Sequence, residues 1–135
     1  MSATMKALRK FSPTKKGVQL VEVPLPSIGP DDILVDVACV GICGSDLHIW
    51  KDEKEHKAPV TLGHEFSGLV VKTGDNCKRI KVGDRICCDI ETMNGRIGTH
   101  VDGGCAPKVA VPESVAHILP PEIDYEEGAL VEMVT

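Results

Sequence analysis

A chain of 135 residues fits a single domain and can bury a core without disulfide staples. Its hydrophobic share of 42% and charged share of 26% are those of an ordinary globular domain. The net charge of −5 excludes an electrostatic footing for nucleic acid or an anionic membrane. No apolar signal-type run opens the chain and no stretch reaches membrane-span length, so a cytoplasmic protein with no membrane partner is expected.

The aromatics are only Trp50, Tyr125, Phe11 and Phe66, so the core must rest on Val, Ile, Leu and Ala. With 13 Gly and 9 Pro, that composition predicts short strands and turns. Residues 5–11 and 17–23 read as a strand pair joined by the polar turn 12–16, with 1–4 as a flexible extension. Pro24, Pro26 and Pro30 punctuate a loop. From Asp32, the alternation Ile33, Val35, Val37, Cys39 predicts a strand with one buried face, ending at Gly41. A short turn or helix start follows at 45–50, with Ser45 or Asp46 as its cap, and 51–57 reads as a charged surface loop. Strands are expected at 66–72, 85–90, 105–111 and 115–119, and Asn94-Gly95 is a hairpin signal between them. One helix, capped by Asp124, is predicted over 125–135.

Six cysteines without a secretory signal are expected as thiols or metal ligands. The lack of any C-x-x-C pair excludes a zinc ribbon. Cys39 and Cys77 fall on apolar faces. Cys87 and Cys88 are adjacent on a strand and so point opposite ways, and His56, His100 and His117 have no partner at ligand spacing.

Cys43 differs from these. It leaves a strand into a glycine-flanked turn, where a thiolate can be held rigidly and still face a cleft. His64 and Glu65 sit at the threshold of the next strand, and both can address one metal only if the backbone turns there, as Gly63 permits; otherwise Glu65 stands behind the ligands. Glu132 aligns with Gly128 and Ala129 on a helix, a small apolar surrounding that suits a carboxylate only opposite a cation.

Gly41-Ile42-Cys43-Gly44-Ser45-Asp46-Leu47-His48, Gly63-His64-Glu65-Phe66-Ser67-Gly68, Val82-Gly83-Asp84-Arg85, Asp102-Gly103-Gly104 and residues 126–132 occur in this order. Together they resemble the medium-chain zinc dehydrogenases, most of all the branch that holds sorbitol and other polyol dehydrogenases. The resemblance implies a mainly β, GroES-like barrel with a short C-terminal helix. It implies one catalytic zinc on Cys43 and His64, with Glu65 and Glu132 competing for a further place. In polyol and threonine dehydrogenases the position of Glu132 is acidic; in other alcohol dehydrogenases it is a cysteine ligand. Ser45 matches the proton-relay hydroxyl of the family and His48 the histidine that continues the relay. The implied substrate is a small alcohol or polyol whose hydride passes to a nicotinamide, NAD or NADP.

Three departures qualify that reading. Family members continue into a Rossmann domain, whereas this sequence has no G-x-G-x-x-G. NAD(P) binding is expected only if a nucleotide domain is supplied, and the chain alone is expected to be inactive. A four-cysteine structural zinc lobe is expected to be missing near 89–102, bridged by the Asn94-Gly95 turn. Cys105-Ala106-Pro107-Lys108 stands where the family carries an aromatic-rich run. A truncated or minimised catalytic domain is the reading, with an exposed domain interface open to self-association. A non-enzymatic zinc-binding barrel and a threonine dehydrogenase-type domain are the alternatives. A GroES-like co-chaperonin would have no use for Cys43, His64 and Glu132.

Overall fold

A computed structural model describes residues 2–12 and 16–134. The β-dominated architecture agrees with the sequence expectation. β1 (Thr4–Lys10) pairs antiparallel with β2 (Gln19–Pro24), and the two join β4 (Val60–Thr61) in a three-stranded sheet. Thr4 already lies in β1 and the Ala3 carbonyl accepts from Leu25 N–H, so the expected extension at 1–4 is paired from Ala3 onward. The turn expected at 12–16 falls largely outside the described residues.

A five-stranded sheet runs in the order β10-β6-β5-β3-β9. It is formed by β3 (Asp32–Gly41), β5 (Glu65–Thr73), β6 (Arg85–Cys88), β9 (Lys108–Pro112) and β10 (Ala116–Ile118). Ile33 and Val35 are fully buried with Phe66, Val70 and Ile86, which builds the core from β-branched residues as the composition requires. Against β5, β3 carries two register shifts. Val71 is unpaired on β5 between the Leu34 and Val35 partners, and Ala38 is unpaired on β3 between Val37 and Cys39. The second bulge restores the register of the first, and it flips the side-chain parity of everything beyond it. Val40, not Cys39, therefore packs against the core, which corrects the sequence assignment of Cys39.

Other boundaries also shift. The strand expected from residue 105 starts only at Lys108. The Asn94-Gly95 signal does mark a hairpin, of β7 (Glu91–Thr92) with β8 (Gly95–Arg96), but its two loop residues are Met93 and Asn94. Gly95 alone takes positive φ, at 114°, so this is not the type I′ turn the dipeptide favours. The C-terminal helix is two pieces, α2 (Tyr125–Ala129) and α3 (Val131–Val134), interrupted at Leu130. Asp124 does cap α2: it accepts from Glu127 N–H at 2.7 Å, and the Glu127 carboxylate accepts from Asp124 N–H at 3.1 Å. α2 is tied to the sheet by Ser67 Oγ donating to the Tyr125 carbonyl. Arg85 reaches the Pro120 and Ile123 carbonyls, both at 2.9 Å, and lies 5.5 Å from the centre of the Tyr125 ring.

No described helix is long and apolar enough to cross a membrane.

Candidate metal centre

The site forms where β3 ends and β5 begins. Gly41 pairs with Glu65, and a Cβ on Gly41 would stand 2.7 Å from Glu65 Oε2. Glycine is thus needed at position 41 so that the carboxylate can fold over the end of β3. Just before β5, Gly63 has φ of +96°, and its missing Cβ leaves room for the backbone and sulfur of Cys105. This turn resolves the alternation problem raised by the sequence. His64 precedes the strand and Glu65 is its first residue, so both can face one point.

Cys43 is the N-cap of α1 (Gly44–Trp50), in extended conformation at φ −87° and ψ 155°. Neither Ser45 nor Asp46 is the cap, as the sequence had suggested. Asp46 instead reaches back from the first turn and accepts from Cys43 N–H at 2.9 Å, fixing the backbone that carries the thiol.

Ligand atoms of Cys43, His64 and Glu65 all lie within 4.8 Å of one another, and no other such group of Cys, His, Asp or Glu is found among the described residues. His64 is 3% exposed and Glu65 1%, while Cys43 is half-buried. Glu65 Oε1 is buried with no hydrogen-bond partner, and no lysine or arginine pairs with the carboxylate among the described residues. A carboxylate removed from water without a counter-charge is strongly unfavourable. A cation held there would supply the missing charge, and a thiolate, an imidazole and a carboxylate form a three-ligand set that suits zinc with one position open.

Around this trio, Ser45 Oγ is 3.4 Å from His64 Nε2, and Asp46 Oδ1 is 3.9 Å from His64 Nδ1. Asp46 therefore faces the ring nitrogen opposite Ser45, beyond hydrogen-bond distance, and both atoms are buried without a hydrogen-bond partner. Sequence reading saw Asp46 only as a cap. The signal it missed was a short acid three residues after the candidate thiolate, buried at 6% exposure. His48 is one turn further along α1, with Nδ1 2.8 Å from Glu53 Oε2 and its side chain 60% exposed. That bond holds the Glu53 carboxyl below its ordinary pKa.

Glu132 is not brought into the trio. It borders a cavity of about 320 Å³ together with Cys87, Cys88, Asp89 and His117. Burial pushes the Cys87 and Cys88 thiols up, and it pushes Cys105 up to about 11, so none of these is poised as a thiolate. His117 pairs with Asp89 at 2.8 Å on the surface. The side chain of His56, expected at the surface, is 3% exposed, with Nδ1 2.9 Å from the Lys54 carbonyl.

Residues 29–121 match the alcohol dehydrogenase GroES-like domain, and the chain belongs to that family. It is 36% identical over 151 aligned residues to a D-arabitol-phosphate dehydrogenase of Enterococcus avium, covering 98% of this chain and 43% of that protein. To an L-threonine 3-dehydrogenase of Ruegeria pomeroyi it is 34% identical, covering 95% of this chain and 43% of the relative. Among solved structures, a Sinorhizobium meliloti protein assigned as a zinc-binding dehydrogenase and bound to NADP superposes with a TM-score of 0.86. It shares 37% identity, with 96% of this chain and 42% of that one covered. The chain thus spans less than half the length of the relatives it matches.

Proposed function

We propose that this chain is the zinc-binding catalytic domain of a dehydrogenase that oxidises a secondary alcohol next to a second polar substituent, as in polyols and amino alcohols. The observation that carries the reading is the buried Glu65 carboxylate, unpaired and grouped with Cys43 and His64. The substrate class follows from what the relatives act on: a phosphorylated polyol and threonine both present a carbinol beside a polar group. A sorbitol-like polyol and a cytoplasmic setting belong to the same reading.

Zinc held by Cys43, His64 and Glu65 would act as a Lewis acid and lower the pKa of the substrate hydroxyl toward neutrality. Asp46, 3.9 Å from His64 Nδ1, would orient the ring from that side on a small approach of the two groups. Ser45 Oγ, beside His64 Nε2, would relay the proton released by the substrate hydroxyl, accepting it while giving up its own hydroxyl proton. His48, three residues further along α1 and exposed to solvent with its Nδ1 side held by Glu53, would carry that proton out. Glu65 rather than Glu132 binds the metal directly in this reading, and Glu132 is a more distant acid.

The hydride acceptor is NAD or NADP on a separate nucleotide-binding unit, because no glycine-rich phosphate turn joins a strand to a helix among the described residues. Ile42, Leu47 and Trp50 are 76%, 54% and 42% exposed beside Cys43, an apolar rim for that unit to cover or for a second copy to occupy. The alignment with the arabitol-phosphate enzyme runs over 151 positions, more than the 135 residues of this chain, so that relative carries extra residues within the aligned span, and this reading puts them where the hairpin within 89–102 now stands. We assign the missing segment to a structural metal lobe.

Elemental analysis of the purified chain should give about one zinc per chain, and NAD titration by calorimetry should give no binding. Absence of metal after zinc-supplemented refolding would remove the centre. Polyol turnover by the chain without an added nucleotide unit would overturn the division of labour. Metal with no turnover in any complemented or full-length form would favour a non-enzymatic barrel.

A further inference from the structure

We propose that Lys10 and Asp52 are positioning residues for the segment that carries Cys43, Ser45 and His48. This inference rests on the metal reading above. Lys10 closes β1 and its side chain is 0% exposed, a placement lysine takes only when its charge is matched. Its Nζ lies 2.5 Å from Asp52 Oδ1 and donates to the Trp50 carbonyl at 3.4 Å. Trp50 is the last residue of α1, and its carbonyl also accepts from Gly17 N–H at 2.7 Å. The C-terminal end of the helix, where carbonyls lack partners within the helix, is thereby fastened to β1 and to the approach to β2.

Asp52 adds a second link. It is the one non-glycine residue with positive φ among the described residues, at 62°, a conformation that surrounding contacts must hold. Its N–H donates to Ile49 O at 3.1 Å, and His56 Nε2 lies 4.0 Å from its carboxylate on the buried side. The left-handed step turns the chain so that Glu53 N–H reaches the His48 carbonyl at 2.8 Å and its carboxylate reaches the His48 ring. A single ion pair, with its lysine fully buried, thus sets both the end of α1 and the partner of His48. Two apolar side chains would stabilise such a spot as well or better, so the pair is explained by geometry rather than by stability. The beginning of the same short helix is the Cys43 cap. A displacement of its far end is carried along a rigid element to the thiol and the Ser45 hydroxyl.

Cobalt(II) titration of the full chain tests this, read by the thiolate charge-transfer and d–d bands. Lys10→Met and Asp52→Asn should each weaken Co²⁺ binding by about tenfold, the lower end of what loss of an outer partner costs, and should alter the d–d envelope. Ile33→Val, a core change at the opposite end of β3, should lower Tm while leaving affinity and spectrum unchanged. A merely structural role for Lys10 would make its variants behave like Ile33→Val, with affinity within twofold of wild type and the same bands, and that result overturns the proposal. Should Lys10→Met fail to fold, Asp52→Asn, at a partly exposed position, carries the same decision. An unaltered chain that binds no Co²⁺ overturns the metal reading and this proposal with it. Binding by the wild type with indifferent variants overturns this proposal alone.

Discussion

Two parts of the molecule gather the same donor types with opposite outcomes. At the junction of β3, α1 and β5, Cys43, His64 and Glu65 converge, and buried oxygen and nitrogen atoms are left without partners. Across β6 and β10, Cys87, Cys88, Asp89, His117 and Glu132 line one cavity. There His117 is already satisfied by Asp89, and burial holds the Cys87 and Cys88 thiols protonated. Donor chemistry alone does not make a metal site. An unmet electrostatic demand inside the protein does.

The largest effect should come from removing a ligand. Cys43→Ser or His64→Ala should cut zinc content from about one per chain to near zero, whereas Cys87→Ser and His117→Ala should leave it unchanged. Elemental analysis after gel filtration reads both arms, and loss of zinc in the second pair would erase the contrast between the regions.

Glu65→Gln sharpens the comparison because its two effects have opposite signs. In the metal-free chain it removes a buried unpaired charge and should raise stability by about 1–3 kcal/mol in urea unfolding. With zinc present the same change should lower affinity. Destabilisation of the metal-free chain would show that Glu65 already has a partner there.

Gly95→Ala acts in the β7–β8 hairpin, outside the Cys43, His64 and Glu65 trio. A residue with a side chain at φ of 114° is strained, and the new Cβ would stand 2.6 Å from His100 Cβ. A loss of about 1–2 kcal/mol is expected, with zinc content intact.

The smallest expected effect is acid dependence at Glu113, whose Oε1 accepts from the N–H groups of Lys78, Arg79 and Ile80 at 3.0, 2.6 and 2.7 Å. Those bonds hold its carboxyl below the ordinary value of 4.5. A folded-state pKa that is depressed contributes stability above the unfolded value, and that contribution is lost as pH falls through the lowered one. Glu113→Gln should therefore be less stable than wild type near neutrality, with the gap narrowing below pH 4.5. A gap that stays constant on acidification would contradict the assignment.

Much of this was legible in the sequence, for identifiable reasons. Period-2 patterning located β3, the strand expected at 66–72 covers most of β5, and the glycines around Cys43 and before His64 marked the turns that aim the ligands. What escaped depended on non-local geometry. A bulge at Ala38 decides which of Cys39 and Val40 faces inward, and no local pattern announces it. Asp46 looked like a cap because its role toward His64 exists only once β5 lies beside α1. The stretch 51–57 reads as solvated because its charges are many, yet Asp52 is drawn inward by Lys10 of β1, and the His56 side chain is buried beside Asp52. Helix propensity over 125–135 could not foresee the break at Leu130, which takes Glu132 out of the helix that carries Gly128 and Ala129.

X-ray absorption at the zinc edge of the reconstituted chain tests the central claim most directly. One sulfur at about 2.3 Å and the remaining nitrogen and oxygen ligands at about 2.0–2.2 Å are expected from the Cys43, His64 and Glu65 set. Two or more sulfurs, which would draw in Cys87, Cys88 or Cys105, or none at all, would contradict it.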